Sequence, residues 1–188
     1  GKIAMIIDGG PVGIGIESTI IDLTEDTPMV LRPGYITPQM LSKVLGKEVV
    51  IDPGIIAADD TRKPKAPGMK YKHYAPKADM AIVDGTRKHV IAKINELVAS
   101  HRDDGKKIAV IATEETKQFY DADVVLSMGS RADEDSIAHE LYRILRDCDE
   151  LDVDVIFSES FSTPRIGQAI MNRMLKAAGH QVIDTHVK

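Results

Sequence analysis

The apolar positions in the second half of the chain come in short blocks that alternate with longer amphipathic stretches. "MAIVDG" precedes "RKHVIAKINELVASH", "KIAVIAT" precedes a short helical stretch, "ADVVLSMG" precedes "DSIAHELYRILRDC", and "VDVIFSES" precedes "TPRIGQAIMNRMLKAAG". Short apolar runs closed by turn residues suit buried strands, whereas apolar positions recurring at steps of three and four suit helices. Strands alternating with helices predict an α/β fold, a parallel sheet with right-handed crossovers and helices on both faces. From Asp79 to Lys188 this is the pattern of a Rossmann-like domain. Thr163-Pro164 marks the start of its last long helix and Gly179 the end. Leu141, Leu145 and Cys148 fall on one helical stripe, which makes the lone cysteine a core thiol rather than a nucleophile.

The first half has a different texture. Gly1 to about Val50 reads as strand, turn, strand and helix. Ile3-Ala4-Met5-Ile6-Ile7 predicts a buried strand, and Ile16, Ile20, Ile21 and Leu23 with Thr19 and Thr24 predict a second. In "VLRPGYITPQMLSKVL", Thr37-Pro38 opens a helix from Gln39 to Leu45. The stretch "GGPVGIGIESTIID" has the glycine content of a phosphate loop, but a strand pattern follows it instead of a helix. Its glycines are therefore expected to bend a strand connection, with Ser18 and Thr19 on a sheet and one hydroxyl on each face. From Asp52 to Pro76 the chain carries four of its nine prolines and no sustained period, so it reads as a long linker. Such connections are uncommon inside a compact domain and tend to be functional or disordered.

Charge narrows the partners. Lys and Arg total 24 against 29 Asp and Glu, a formal net charge of -5, which offers no bulk attraction for nucleic acid or anionic membranes. Any phosphate site must be local. No apolar run is long enough to span a bilayer, no signal-peptide pattern opens the chain, and one cysteine excludes an internal disulfide, so a cytoplasmic location is expected. The initial Gly suggests an excised or processed chain. The six histidines form no metal-binding pattern, which leaves magnesium arriving with a nucleotide as the metal compatible with the sequence.

Candidate chemistry falls in three places. The strand ends carry Thr113, Ser127-Met128-Gly129-Ser130 and Ser158-Glu159-Ser160, where open α/β sheets take ligands, although the same residues are ordinary caps and turns. Arg32 closes the apolar run Met29-Val30-Leu31 just before a Pro33-Gly34 turn. A guanidinium fixed there suits a phosphate, and equally suits a surface ion pair. The linker gathers Lys65, Lys70, Lys72 and His73 around Tyr71 and Tyr74, a set able to lie across a nucleotide or to remain a solvated basic tether.

The ordered set "GIESTIIDLT", "LRPGYIT", "PGMKYKHYAP", "LYRILRDCDEL" and "GQAIMNRMLKAAG" resembles the threonylcarbamoyl-AMP synthases of the YrdC-like class that carry an extra C-terminal domain. The resemblance covers almost the whole chain but only the later part of that architecture, since the family's lysine/arginine-rich N-terminal motif has no match before Gly1. It implies three parts: the end of the YrdC-like catalytic domain at 1–50, a linker crossing the active site at 51–78, and a Rossmann-like domain at 79–188. It implies that L-threonine, bicarbonate and ATP, with Mg2+, give threonylcarbamoyl-AMP and pyrophosphate. The adenylate would pass to other proteins that modify tRNA, with no direct nucleic-acid contact. Carried over position by position, Ser18 and its neighbour Thr19 are expected at L-threonine, and Arg32, Tyr71, His73 and Tyr74 at ATP. The chain by itself is expected to be inactive, and an oligomer is possible. The competing reading is a non-catalytic nucleotide-binding or regulatory lid.

Overall fold

The computed structural model describes residues 2–10, 12–55, 74–161 and 165–186. Its centre is a five-stranded, fully parallel sheet built from β4 (Asp79–Asp84), β5 (Ile108–Ala112), β6 (Val124–Ser127), β7 (Val155–Glu159) and β8 (Val182–Asp184), in the order β6-β5-β7-β4-β8. All five residues of β5 are buried, as expected of a parallel strand covered on both faces. The side chains of β5 alternate between two cores. Ala109 and Ile111 join Met80, Ile82 and Ile156 under α3 (Glu134–Glu150) and α4 (Gly167–Ala177). Ile108, Val110 and Ala112 join Val83 and Phe157 under α2 (Arg87–Asp103), whose inward positions are Val90, Ile94 and Val98. The alternating pattern thus produces the expected α/β layer. The short helical stretch after β5 is a 3-10 turn at Lys117–Phe119.

The stripe on α3 is buried as expected. Cys148 is fully enclosed, and burial with the neighbouring Asp147 and Asp149 pushes its thiol up to about 12. The last helix begins at Gly167. Thr163-Pro164 lies outside the described residues, and Gly179 in a left-handed conformation (φ 58°) follows the end of the helix. β8 follows from "QVID", a run too short to be read as a strand without its partner β4.

A second, three-stranded sheet holds β1 (Ile20–Asp22), β2 (Met29–Arg32) and β3 (Val50–Ile51), with β1 antiparallel and β3 parallel to β2. α1 (Pro38–Leu45) connects β2 to β3. Thr37 caps it by accepting the Met40 amide at 3.3 Å, with Pro38 in the first turn. Two expectations are corrected here. Ile3 to Ile7 form no strand, and Ile3, Met5, Ile6 and Ile7 are exposed, because no described strand supplies their hydrogen-bond partners or covers their side chains. Nor does the linker expected from Asp52 begin as irregular chain. Val50–Ile51 pairs with β2, a 3-10 turn follows at Pro53–Ile55, and Ile55 is buried with Val30 and Val49.

Candidate active site

The glycine-rich stretch ends on the C-terminal layer rather than around an anion. Gly15 has φ 75°, and a Cβ there would sit 2.4 Å from the Cα of His139 and 2.6 Å from the Ala138 carbonyl oxygen. Only glycine can lie so close to the backbone of α3. The chain then runs through Ile16, Glu17, Ser18 and Thr19 into β1. Ser18 and Thr19 precede the strand instead of lying on it, and both face the same cleft. This corrects the expectation that both residues lie on the sheet. The register shift between Ile20 and Ile21 marks where regular pairing begins, so the alternation of a pleated strand does not reach position 18.

That cleft has a volume of about 330 Å3 and is walled by Ile14, Ile16, Ile21, Tyr35, Ile36 and Leu41, with Glu17, Ser18 and Thr19 as its polar side. Its shape is fixed by ties between two segments. Thr19 Oγ1 donates to the Ile36 carbonyl at 2.7 Å, and Arg32 Nε donates to the Ser18 carbonyl at 3.0 Å. Gly34 lets the segments meet, since a Cβ there would lie 2.5 Å from the Thr19 nitrogen and 2.7 Å from the Glu17 carbonyl oxygen. Ser18, Thr19 and Arg32, far apart in the sequence pattern, are thereby brought together.

Of the linker residues, Tyr71 and His73 lie outside the described residues. Tyr74 is described. It is half-exposed, holds a left-handed backbone (φ 57°) rare for a bulky side chain, and sets its ring 4.5 Å from that of Tyr142 on α3. The Tyr142 hydroxyl is buried and makes no hydrogen bond among the described residues. Burial and the adjacent Glu17 carboxylate push the Tyr142 hydroxyl well above the usual phenol range. Burial alone would raise the Glu17 carboxyl, but the Tyr142 hydroxyl and the Arg173 guanidinium outweigh it and hold the group below its ordinary value.

Three residues of this site escaped the sequence reading: Glu17, Arg173 and Lys176. α4 is buried on nearly its whole circumference, Asn172, Arg173 and Lys176 included. Polar residues buried on one side of a helix whose other side packs on a sheet signal a second covering layer. Here that layer is the Glu17–Tyr35 region. Burial foremost, then Arg173 and Arg32, pull the Lys176 ammonium down to about 8 against the opposing pull of Glu17. Arg173 and Arg32 thus oppose the charge of Lys176, and Glu17 favours it.

The strand ends of the parallel sheet are occupied by their own side chains. At the junction of β5 and β7, Glu159 accepts from Tyr120 at 2.6 Å and from Arg131 at 2.7 Å, and Arg131 also donates to the Ser160 carbonyl at 2.9 Å. Thr113 bonds to Thr116, Ser130 to Glu115, and Ser158 to the Glu159 carbonyl. At the place where such sheets hold ligands, these side chains are engaged with one another. Among the described residues no group of three or more His, Cys, Asp or Glu side chains could hold a metal ion, and no helix is long and apolar enough to cross a membrane.

The fold is that of an α/β protein in which a three-stranded sheet precedes a five-stranded parallel layer, with the cleft walled by residues 14–41. Residues 36–179 match the family described as "Threonylcarbamoyl-AMP synthase, C-terminal domain", and the chain belongs to that family. It is 45% identical over 183 residues to the threonylcarbamoyl-AMP synthase of Bacillus subtilis, covering 97% of this chain and 51% of that protein. It is 46% identical over 184 residues to that of Pyrococcus abyssi, covering 97% of this chain and 52% of the relative. A crystal structure of P. abyssi Sua5 complexed with L-threonine superposes with a TM-score of 0.88 at 44% identity, over 98% of this chain and 52% of that one. The chain therefore spans about half the length of these relatives.

Proposed function

We propose that this chain is the later part of an L-threonylcarbamoyladenylate synthase, which joins L-threonine, bicarbonate and ATP into threonylcarbamoyl-AMP and pyrophosphate for tRNA modification. The observation that carries the reading is the cleft lined by Ser18 and Thr19, with Arg32 tied to its wall through the Ser18 carbonyl. It is supported by the family and by the superposable L-threonine complex. On this reading residues 1–50 end the catalytic domain, 51–78 cross its active site and 79–188 form the C-terminal domain.

The chemistry asked of the protein is mainly positioning and neutralisation of charge. The carbamate of threonine must lie in line with the α-phosphate of ATP. Ser18 and Thr19 would orient the amino acid. Arg32, at the end of β2 with Lys176 nearby, would face nucleotide phosphate. Mg2+ would enter on the phosphates and offset their charge. Glu17, the carboxylate next to Ser18, is already paired with Arg173, so this chain's polar wall offers the ion no unengaged carboxylate there. Tyr71, His73 and Tyr74 would close over ATP, with Tyr74 moored on Tyr142. The alternative of a nucleotide-binding lid would use the strand ends of the parallel sheet, where Arg131 and Tyr120 are engaged by Glu159.

The reading is tested in a full-length protein containing this sequence by measuring pyrophosphate release that requires both threonine and bicarbonate. Ser18→Ala is expected to raise the KM for threonine, and Arg32→Met to lower the rate on the order of a hundredfold, the usual loss on removing one charged donor from a water-excluded site. Unchanged kinetics in both variants would remove these residues from the site. The 188-residue chain alone is expected to release no pyrophosphate in the same assay.

A further inference from the structure

The guanidinium of Arg173 belongs to α4 of the C-terminal layer, yet nearly all of its partners lie across the seam. Nε donates to Glu17 Oε2 at 2.8 Å, Nη2 to the Glu17 carbonyl at 3.3 Å, and Nη1 to the Pro33 carbonyl as well as to Ala169 of its own helix at 3.4 Å. Glu17 immediately precedes Ser18, and Pro33 immediately follows Arg32. One buried, planar, five-donor group therefore grips the residue next to each of two separately placed site residues.

We propose that Arg173 is a positioning residue, a strut that fixes the spacing between the Ser18 segment and the Arg32 segment, making the synthase reaction depend on a side chain carried by the C-terminal layer. The proposal rests on the functional reading above. Its consequence is specific. If Ser18 serves threonine and Arg32 serves ATP, each substrate meets its own segment at normal affinity when the strut is lost. Their mutual alignment is what suffers, and an error of about 1 Å there can cost about a hundredfold in rate.

The test compares Arg173→Met and Arg173→Lys in a full-length protein containing this sequence, assayed well below their melting temperatures. Lysine keeps the charge but cannot reach Glu17 and Pro33 together. Expected for both is a kcat reduced about tenfold or more, with KM for threonine and for ATP within about twofold of the unsubstituted enzyme. Hydrogen exchange, which needs no turnover, should show faster exchange in the 16–19 and 33–36 segments together. Unchanged kcat, a rise in KM for one substrate alone, or exchange altered in only one segment would overturn the proposal. So would failure of both variants to fold, which would make Arg173 a residue of the fold. An unsubstituted enzyme that makes no adenylate would defeat the functional reading instead, and the exchange result would still judge the strut.

Discussion

At the scale of single residues, two carboxyls of this chain, Glu115 and Glu17, are set by the groups that face them against the pull of burial. Glu115 shows this. Burial would raise its carboxyl, but the Ser130 hydroxyl at 2.5 Å, its own amide, the Arg131 amide and the Thr113 hydroxyl hold it at about 2 instead of 4.5. Because the folded value is the lower one, the unfolded chain binds the proton first as pH falls. The stabilisation is complete above about 4.5 and is lost between 4.5 and 2. Glu115→Gln is therefore expected to lower the melting temperature near neutrality and to flatten its decline between those pH values. Parallel melting profiles for the two proteins would show that Glu115 contributes nothing through its charge. Glu17 is governed the same way, except that its partners Tyr142 and Arg173 come from distant parts of the sequence.

At the scale of elements, the decisive features are the close approaches between them. β1 and the β2–α1 turn can share a cleft only because Gly34 has no side chain where Thr19 and Glu17 press on it. Gly34→Ala places a Cβ against backbone atoms, which cannot swing aside as a side-chain tip could. The expected cost is about 1 to 3 kcal/mol, typical of overpacking a fitted contact, together with weaker threonine binding in a full-length protein. Denaturant unfolding and calorimetric titration measure the two effects, and full tolerance of alanine would show that the segments can part without consequence. α1 was legible to within a residue because its signals, the Thr37 cap and Pro38, act within one turn. β3 and β8 were not, since strands of two and three residues exist only by pairing with β2 and β4. Ile3 to Ile7 shows the converse, an apolar run with strand propensity and no described partner to make it one.

For the whole molecule, the five-stranded layer has both of its cores supplied from within 79–186, by α2 on one face and α3 and α4 on the other. A fragment from Asp79 to Lys188 is expected to unfold in a single cooperative thermal transition, and a product without one would show that the layer needs the first fifty residues to cover α4. The sequence by itself determined the α/β layer, because helix and strand periods and local caps are written in neighbouring residues. It also marked Ser18, Thr19, Arg32 and Tyr74 as candidates through their motifs. Only the tertiary structure decided that Ser18 and Thr19 share one cleft and that Arg131 pairs with Glu159 at the strand ends of the sheet. Only the tertiary structure, too, decided that Arg173, 156 residues after Glu17, holds the cleft together. The physical reason is that periodicity reports which face of an element is buried but not against what. A buried arginine reads in sequence like an exposed one until the two carbonyls and the carboxylate that satisfy it are brought to it by the fold.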